Sequence, residues 1–207
     1  MRRAAVLAVA LAACGTKKAS PKPTDEPTGT VTLVGIDPDR WGCEVVATVA
    51  AVGEVLGGPV RQVDSSLAPP RGVPRPCNYL LDGAAGQEAW TWDLDCRKGA
   101  VATADTLWKQ YTDQNLALIA AASDAGADEL KDDAGVIHGP PPPPTEVQVG
   151  AKAIDHNGQA ILFVDDDTPC YGRIVGPDPA RRLTLAQLVA KNLRPATAPM
   201  EPRPAGK

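Results

Sequence analysis

The spacing of apolar residues in the first half of the chain predicts one helix and three strands. Apolar positions recur at helical spacing over residues 44–56, and the pattern stops at Gly57-Gly58-Pro59, a strong signal for a helix C-terminus. Residues 88–96 alternate between apolar and polar, as in a strand with one buried face, and residues 60–64 and 77–81 are predicted as short strands. The apolar positions are Val45, Val49, Val52 and Leu56 in the helix, and Trp90, Trp92, Leu94 and Cys96 in the long strand.

A second helix is predicted over residues 103–123, and a proline-rich segment follows it. The helical pattern breaks at residues 126–144, where five consecutive prolines from 140 to 144 favour extended polyproline II. We interpret residues 139–145 as a stiff connector between two halves of a domain. The alternative is a docking site for a proline-recognition domain, but such domains are not expected outside the cytoplasmic membrane. The predicted helix face consists of Leu107, Trp108, Tyr111, Leu118 and Ile119.

The second half of the chain contains a hairpin signal, a turn and a closing helix. Asn157-Gly158, between predicted strands at 151–156 and 159–164, suits the positive backbone angles of a two-residue hairpin turn. Residues 165–169 predict another turn, and residues 170–175 predict the next strand. The last helix is predicted to begin at a capping box formed by Thr184 and Gln187, beside a staple of Leu183 and Leu188, and to stop before Pro195.

The order of these elements defines the expected fold class. Helix, three strands, helix, three strands and helix favour an α+β fold, with one antiparallel β-sheet of about six strands covered by about three helices. This single domain is expected to span residues 31–194. Residues 15–30 contain no large apolar side chain, so we expect residues 14–30 to be a flexible tether. The proline-rich residues 195–207 are expected to be a disordered tail.

A targeting signal precedes the predicted domain. Two arginines and a short apolar run come before Leu11-Ala12-Ala13-Cys14, an arrangement typical of a bacterial lipoprotein signal peptide. The apolar run is too short to span a bilayer, which takes about 20 residues. We therefore expect residues 1–13 to be removed, and Cys14 to carry the diacylglycerol and fatty acyl chains, such as palmitate, that anchor the protein. The alternative is an ordinary secretory peptide with an incidental cysteine.

The number of cysteines is consistent with a lipid on Cys14. The chain has five cysteines, and four remain if Cys14 is modified. These four can form two disulfides in three ways, and export to an oxidising compartment makes disulfides the default. No two have the Cys-x-x-Cys spacing of a zinc site. The order of elements favours Cys43 with Cys77, which ties the first helix to the following strand, and Cys96 with Cys170, which joins the two strand triplets.

The charge of the chain limits its partners. The formal net charge is −4, and removal of Arg2 and Arg3 with the signal peptide makes it −6. Nucleic acid and anionic lipid both need a basic face, so neither is an expected partner. The expected partners are the membrane, through the lipid on Cys14, and an envelope protein or small ligand. The expected location is the extracytoplasmic face of the cell membrane, or the outer membrane if the host has two.

The residues that carry chemistry in other proteins predict no catalytic site, metal site or cofactor here. The chain has no Gly-x-Ser-x-Gly elbow and no phosphate-cradling glycine loop. His138 and His156 have no second histidine at ligand spacing and are expected in exposed loops. Asp165-Asp166-Asp167 lacks the spacing of a calcium loop and is interpreted as a solvated turn. Aromatic residues can line a ligand groove, but with one phenylalanine in the chain the core needs Trp90, Trp92, Trp108 and Tyr111.

Several short motifs resemble small actinobacterial lipoproteins that share a domain of unknown function. Cys43-Glu-Val-Val, Val55-Leu-Gly-Gly-Pro-Val60 and Pro76-Cys-Asn-Tyr79 are similar to the first half of those chains. Those chains place a cysteine before an alanine-rich helix, a Leu-Gly turn after it and a second cysteine in the next strand. Val149-Gly-Ala-Lys-Ala153 is similar to their second half. The resemblance implies an exported, lipid-anchored α+β domain with a disulfide in its first half, and it implies no reaction.

The sequence therefore predicts a membrane-anchored extracytoplasmic lipoprotein that is a non-catalytic binding or interaction module. The tether, the expected disulfides and the missing catalytic motifs favour this function. The alternative is a cell-envelope hydrolase whose site uses dispersed carboxylates, and only the acidic balance of the chain points to it.

Overall fold

The computed structural model describes residues 33–66, 68–83, 86–124, 143–156 and 158–204. The predicted signal peptide (1–13), Cys14 with its tether (14–30) and His138 lie outside the described residues, as does most of the proline-rich connector (139–145). The structural account below concerns the described residues alone.

The described residues form an α+β fold built on one antiparallel sheet, which confirms the predicted class. Seven strands lie in the order β2-β3-β4-β8-β7-β6-β5, one more than the predicted number of about six, and β1 pairs with β9 in a separate two-stranded ladder. The strands are β1 Leu33–Val34, β2 Val60–Val63, β3 Cys77–Gly83, β4 Gly86–Asp95, β5 Thr145–Glu146, β6 Lys152–His156, β7 Ala160–Val164, β8 Tyr171–Val175 and β9 Arg203–Pro204. The helices are α1 Val49–Leu56, α2 Ala100–Asp124 and α3 Pro179–Asn192, and Cys43–Val45 is a 3₁₀ turn.

The two faces of the sheet are covered by different helices. On the inner face, α1 and α3 pack on apolar side chains that include Trp90, Trp92 and Phe163, each with no exposed surface. Side chains alternate between faces along a strand, so the intervening residues of β6 and β7 form the outer face. There Trp108 of α2 packs against a second apolar cluster, which consists of Ile154, Ala160, Leu162 and Val164. Trp90, Trp92 and Leu94 of β4 are all buried, which confirms the predicted inward face of this long strand.

The start of α1 differs from the prediction because a polar cap interrupts the apolar pattern. The sequence pattern places this helix at residues 44–56, but α1 begins at Val49. The hydroxyl of Thr48 accepts a hydrogen bond from the backbone N–H of Ala51 at 3.2 Å, which satisfies a helix N-terminal donor. Val45 lies in the preceding 3₁₀ turn and is 39 % exposed. At the other end Gly57, with a φ of 78°, forms the predicted glycine C-cap.

The start of α3 lies five residues before the predicted capping box. The helix begins at Pro179, and the carboxylate of Asp178 accepts a hydrogen bond from the backbone N–H of Arg181 at 2.8 Å. Thr184 is inside the helix, where its hydroxyl donates to the carbonyl of Ala180 at 3.0 Å. The predicted capping box at Thr184 is therefore wrong. Asp178-Pro179 combines a strong N-cap residue with proline at the first helical position, which outweighs the later signal.

Helix α2 buries only part of its predicted apolar face. Leu118, predicted to lie on the buried face, is 56 % exposed, whereas the neighbouring Asn115 is 2 % exposed. Trp108, nearer the start of the helix, is buried as predicted.

The hairpin of β6 and β7 has a longer loop than the sequence predicts. The last residue pair of the β6–β7 ladder is His156 with Ala160, which leaves three residues in the loop rather than two. The carbonyl of His156 accepts a hydrogen bond from the backbone N–H of Gln159 at 3.1 Å. Gly158 has the predicted positive φ, at 63°, while Asn157 lies outside the described residues.

Residues 195–204 belong to the domain, so the predicted disordered tail is wrong for this part of the chain. The indole N–H of Trp41 donates to the carbonyl of Thr197 at 2.8 Å, and the backbone N–H of Gly35 donates to that of Pro195 at 2.7 Å. Ala198 and Met200 are 0 % and 8 % exposed. These two apolar side chains pack against the start of the domain. The proline-rich composition of residues 195–207 does not predict this contact.

Two disulfides connect the domain, in the pairing that the order of elements favours. Cys43 is bonded to Cys77, 34 residues away, and Cys96 is bonded to Cys170, 74 residues away. The first joins the 3₁₀ turn to β3, and the second joins the end of β4 to the start of β8. Loops of these lengths correspond to about 4 kcal/mol of stabilisation each in the chain-entropy description.

Candidate functional site

A cleft lined by described residues lies along the C-terminal half of α3. Gln187, Ala190 and Lys191 are spaced at i, i+3 and i+4, so they share one face of the helix. Arg194 follows the helix end on the same side of the cleft. Two loops that meet this helix face, residues 148–150 and the turn after β7, form the opposite walls.

The first wall is the loop before β6. The side-chain amide of Gln187 donates to the backbone carbonyl of Gln148 at 3.2 Å, which ties this loop to α3. Gly150 has a φ of 55°, and a Cβ at this position would lie 2.3 Å from the carbonyl oxygen of Val164. Glycine therefore allows the loop to pass directly against the end of β7. Ala151 completes the junction, because its N–H donates to Val164 at 2.9 Å.

The second wall is the acidic turn after β7. The Oδ2 atom of Asp165 accepts hydrogen bonds from the backbone N–H and the hydroxyl of Thr168, each at 2.8 Å, and from the N–H of Asp167 at 3.2 Å. Asp165 is 4 % exposed, and burial raises the pKa of its carboxyl despite these hydrogen bonds. The turn presents Asp166 to the cleft, and Asp167 forms an ion pair with Arg194.

The cleft has a volume of about 200 Å³ and a polar rim over an apolar floor. Val149 and Ala190, at 5 % and 7 % exposure, form the floor. Among the described residues, Lys191 and Asp166 form no ion pair with each other or with another side chain. The cleft thus holds one unpaired positive charge and one unpaired negative charge, beside the neutralised pair of Arg194 and Asp167. The polar rim consists of Gln148, Gly150, Asp166, Gln187, Lys191 and Arg194.

A second polar cluster lies on the outer face of the sheet, beside α2. Arg173 donates to the Oδ2 atom of Asp93 from Nε at 3.0 Å and from Nη2 at 2.8 Å. Burial raises the pKa of Asp93, and the neighbouring Arg173 opposes that rise. The ring of His156 packs on Tyr111 with a centroid distance of 4.9 Å, and burial lowers the pKa of His156. These groups form ion-pair and ring contacts among themselves.

A larger groove runs along the outside of α2. Its volume is about 600 Å³, and all its described lining residues belong to this one helix. A groove without a second described wall does not fix the orientation of a ligand, so the cleft at α3 is the better candidate. The lining residues are Asp105, Thr106, Lys109, Gln110, Asp113 and Gln114.

The residues considered in the sequence analysis lie in different parts of the fold. Trp90, Trp92 and Trp108 are buried in the apolar clusters, as predicted. His156 is half-buried at the end of β6, so its predicted place in an exposed loop is wrong. Residues 165–167 form the predicted turn, although Asp165 is buried rather than solvated. Within the described part of the chain, His, Cys, Asp and Glu side chains do not come together in a group of three that could hold a metal ion.

Sequence reasoning missed most residues of the cleft. Gln187 and Lys191 lie at i and i+4 on the last helix, which is a detectable pattern, but exposed helix faces carry such pairs routinely. Gln148 and Gly150 come from a loop about 40 residues earlier, and periodicity does not relate a loop to a distant helix. Asp166 was considered for calcium, which is a different chemistry.

Comparison of the chain with protein-family models, curated proteins and solved structures found no match. A function for this chain is therefore inferred from its own residues and geometry. None of the helices in the described ranges is both long and apolar enough to cross a bilayer.

Proposed function

We propose that this protein is a lipid-anchored extracytoplasmic binding module, held in the membrane by Cys14 and carrying its ligand site in the folded domain. The function has two parts, the anchor and the binding, and each has its own support and its own test. The similarity of short motifs to small lipid-anchored proteins, described above, agrees with the anchor.

The pairing of the cysteines carries the proposal. Cys43, Cys77, Cys96 and Cys170 are consumed in two disulfides, so Cys14 is the single cysteine of the sequence left for modification. Disulfides persist in oxidising compartments, which supports export. Cys14 also follows Leu11-Ala12-Ala13, the context that lipoprotein processing requires. The pairing of four cysteines in disulfides and the position of the fifth in a lipidation motif both favour an extracytoplasmic location.

The cleft along α3 supports the binding part of the proposal. It joins three elements of the chain and contains two charged side chains that form no ion pair among the described residues. Small-molecule sites are likewise concave and use a few placed polar groups to orient a ligand. Its described lining includes one carboxylate, that of Asp166. A hydrolase with paired catalytic carboxylates needs two such groups facing one substrate, so no specific observation favours that alternative.

The anchor is tested by the mass of the protein made from the full chain in a bacterium. We expect loss of residues 1–13 and a mass increase at Cys14 that corresponds to diacylglycerol and an acyl chain. The matched control is Cys14→Ser, which should remain unlipidated and should leave the membrane fraction. An unmodified chain that begins at Met1 in the membrane fraction would contradict the anchor.

The non-catalytic part is tested with the same lipidated protein, by equilibrium dialysis against small molecules extracted from a bacterial envelope. We expect a bound compound that mass spectrometry recovers with its structure unchanged. Time-dependent conversion of any retained compound to a product, abolished by Asp166→Asn, would contradict the binding module and favour the hydrolase.

A further inference from the structure

We propose that the cleft along α3 binds a small zwitterion, an amino acid or a dipeptide with one free ammonium group and one free carboxylate group. This inference rests on the proposed binding function and specifies its ligand class.

The unpaired charges of the cleft select for a ligand of both signs. Lys191 and Asp166 line the same cavity without forming an ion pair with each other. Because Asp167 neutralises Arg194, the charges of the described lining that lack an ion-pair partner are one ammonium and one carboxylate. A ligand carboxylate beside Lys191 and a ligand ammonium beside Asp166 would satisfy both.

Ligands with one charge fit the cleft less well. A simple anion would lie beside the carboxylate of Asp166. A simple cation would lie near Lys191 and Arg194. Each would therefore meet a like charge, and a like charge inside a site is an effective means of rejecting a wrong ligand.

The walls of the cleft are already held in place without a ligand. Gln187 is bonded to the loop at Gln148, and Arg194 is paired with the turn at Asp167. The buried carboxylate of Asp165 fixes that turn from within through its three hydrogen bonds. Walls that do not have to be ordered on binding lower the entropic cost of association, which matters most for a small ligand.

The size and floor of the cleft fit a ligand no larger than a dipeptide. A volume of about 200 Å³ lies below the range of drug-sized pockets, about 300–1,000 Å³. Val149 and Ala190 give the floor an apolar surface suited to a small aliphatic side chain. The amide groups of Gln148 and Gln187 can bond to the peptide group of such a ligand.

The test uses alanyl-alanine and its two capped forms as probes, with the full chain carrying Cys14→Ser so that it stays in solution. Binding is followed by calorimetry and by amide chemical shifts. We expect saturable shifts at Gly150, Asp166 and Lys191 with alanyl-alanine. N-acetylation, which removes the ammonium, and C-terminal amidation, which removes the carboxylate, should each weaken binding about tenfold or more, the effect of losing a hydrogen bond to a charged group.

Variants of the two unpaired residues provide the second arm. Lys191→Met and Asp166→Asn should each weaken alanyl-alanine binding about tenfold or more. The matched controls Lys109→Met and Asp113→Asn change the same residue types on the outside of α2 and should leave the affinity unchanged. Both cleft residues are exposed, so loss of folding is not expected and is checked by circular dichroism.

Four results would overturn the inference. The first is equal binding of the free and acetylated dipeptides, which would show that Asp166 does not recognise the ammonium group of the ligand. The second is unchanged affinity in Lys191→Met or Asp166→Asn. The third is no saturable shift at the cleft with the free dipeptide. Lipidated Cys14 together with a bound ligand of another class would overturn this inference and leave the proposed function intact.

Discussion

The guanidinium of Arg182 donates from Nη2 to the Oδ2 atom of Asp155 at 3.3 Å, and this ion pair joins α3 to β6 beneath the inner face of the sheet. Arg182 has no exposed surface, and the side chain of Asp155 is 17 % exposed. A second nitrogen, Nη1, donates to the carbonyl of Gly176 just after β8. One buried arginine thus connects the last helix with two neighbouring parts of the chain.

Removal of one partner of this pair should be strongly destabilising. We expect Asp155→Ala to lower the free energy of unfolding by about 3–5 kcal/mol, because it leaves a buried guanidinium charge without its counterion. The measurement is urea denaturation followed by tryptophan fluorescence. The double variant Asp155→Leu with Arg182→Met should lose less than the single variant, since it leaves no buried charge.

The control for this prediction is the exposed ion pair of Asp105 and Lys152. Their side chains are 53 % and 57 % exposed, so Asp105→Ala should cost about 1 kcal/mol or less through its lost contact with Lys152. Equal losses in Asp155→Ala and Asp105→Ala would show that burial does not determine how much the Arg182 pair contributes to stability.

Gly176 is required by its contact with a core tryptophan. A Cβ at Gly176 would lie 2.1 Å from the ring of Trp90, so Gly176→Ala should displace the ring and cost about 1–3 kcal/mol. Gly42→Ala is the matched control, because a Cβ there meets nothing within 4 Å. Thermal unfolding followed by circular dichroism compares the two variants. A melting temperature for Gly176→Ala as high as that of Gly42→Ala would contradict the packing argument.

The position of the α3 N-terminus can be tested with two substitutions. Asp178→Ala removes the N-cap and should lower the free energy of unfolding by about 1 kcal/mol. Thr184→Ala removes only a hydroxyl inside the helix, so its effect should stay within about 0.5 kcal/mol. Urea denaturation of both variants gives the comparison. The reverse order of effects would place the helix start at Thr184.

His156 should make stability depend on pH below neutrality. Burial lowers its pKa in the folded protein below the ordinary value of 6.5, so the unfolded chain binds the proton more readily. Stability is therefore unaffected by this group above that ordinary value. It should fall as the pH drops through about 6.5 towards the lower folded pKa.

The measurement is the free energy of unfolding between pH 7.5 and pH 5, with His156→Gln as the control. Glutamine has no imidazole to titrate, so the variant's stability should depend less on pH over the upper part of that range. A direct NMR titration of the imidazole gives the folded pKa independently. A folded pKa above 6.5 would contradict the role of burial against Tyr111.

Local signals in the sequence were reliable where one kind of physical preference acted alone. The alternation from Trp90 to Leu94 placed every second side chain on the inner face, because successive side chains of a strand point to opposite sides. The glycine after Leu56 ended α1 for an equally local reason, the left-handed backbone that glycine tolerates. Such rules need only neighbouring residues.

Local signals failed where two of them competed or where distant residues provided the cover. Two capping motifs lay near the start of α3, and Asp178-Pro179 rather than Thr184 began the helix. Prolines around residue 199 suggested a tail, yet Ala198 and Met200 are buried against the start of the domain. The apolar stripe of α2 continued to Leu118, but this side chain is 56 % exposed, while the polar Asn115 is buried.

The sequence by itself determined the fold class, most of the strands and the even set of four cysteines besides Cys14. These follow from periodicity, from local backbone preferences and from counting, none of which requires distant contacts. Only the tertiary structure decided which side chains meet: Lys191 and Asp166 in one cleft, Arg182 and Asp155 beneath the sheet, and residues 195–204 against the first strand. Such encounters depend on the packing of α3 against the sheet, which the residues between them do not encode locally.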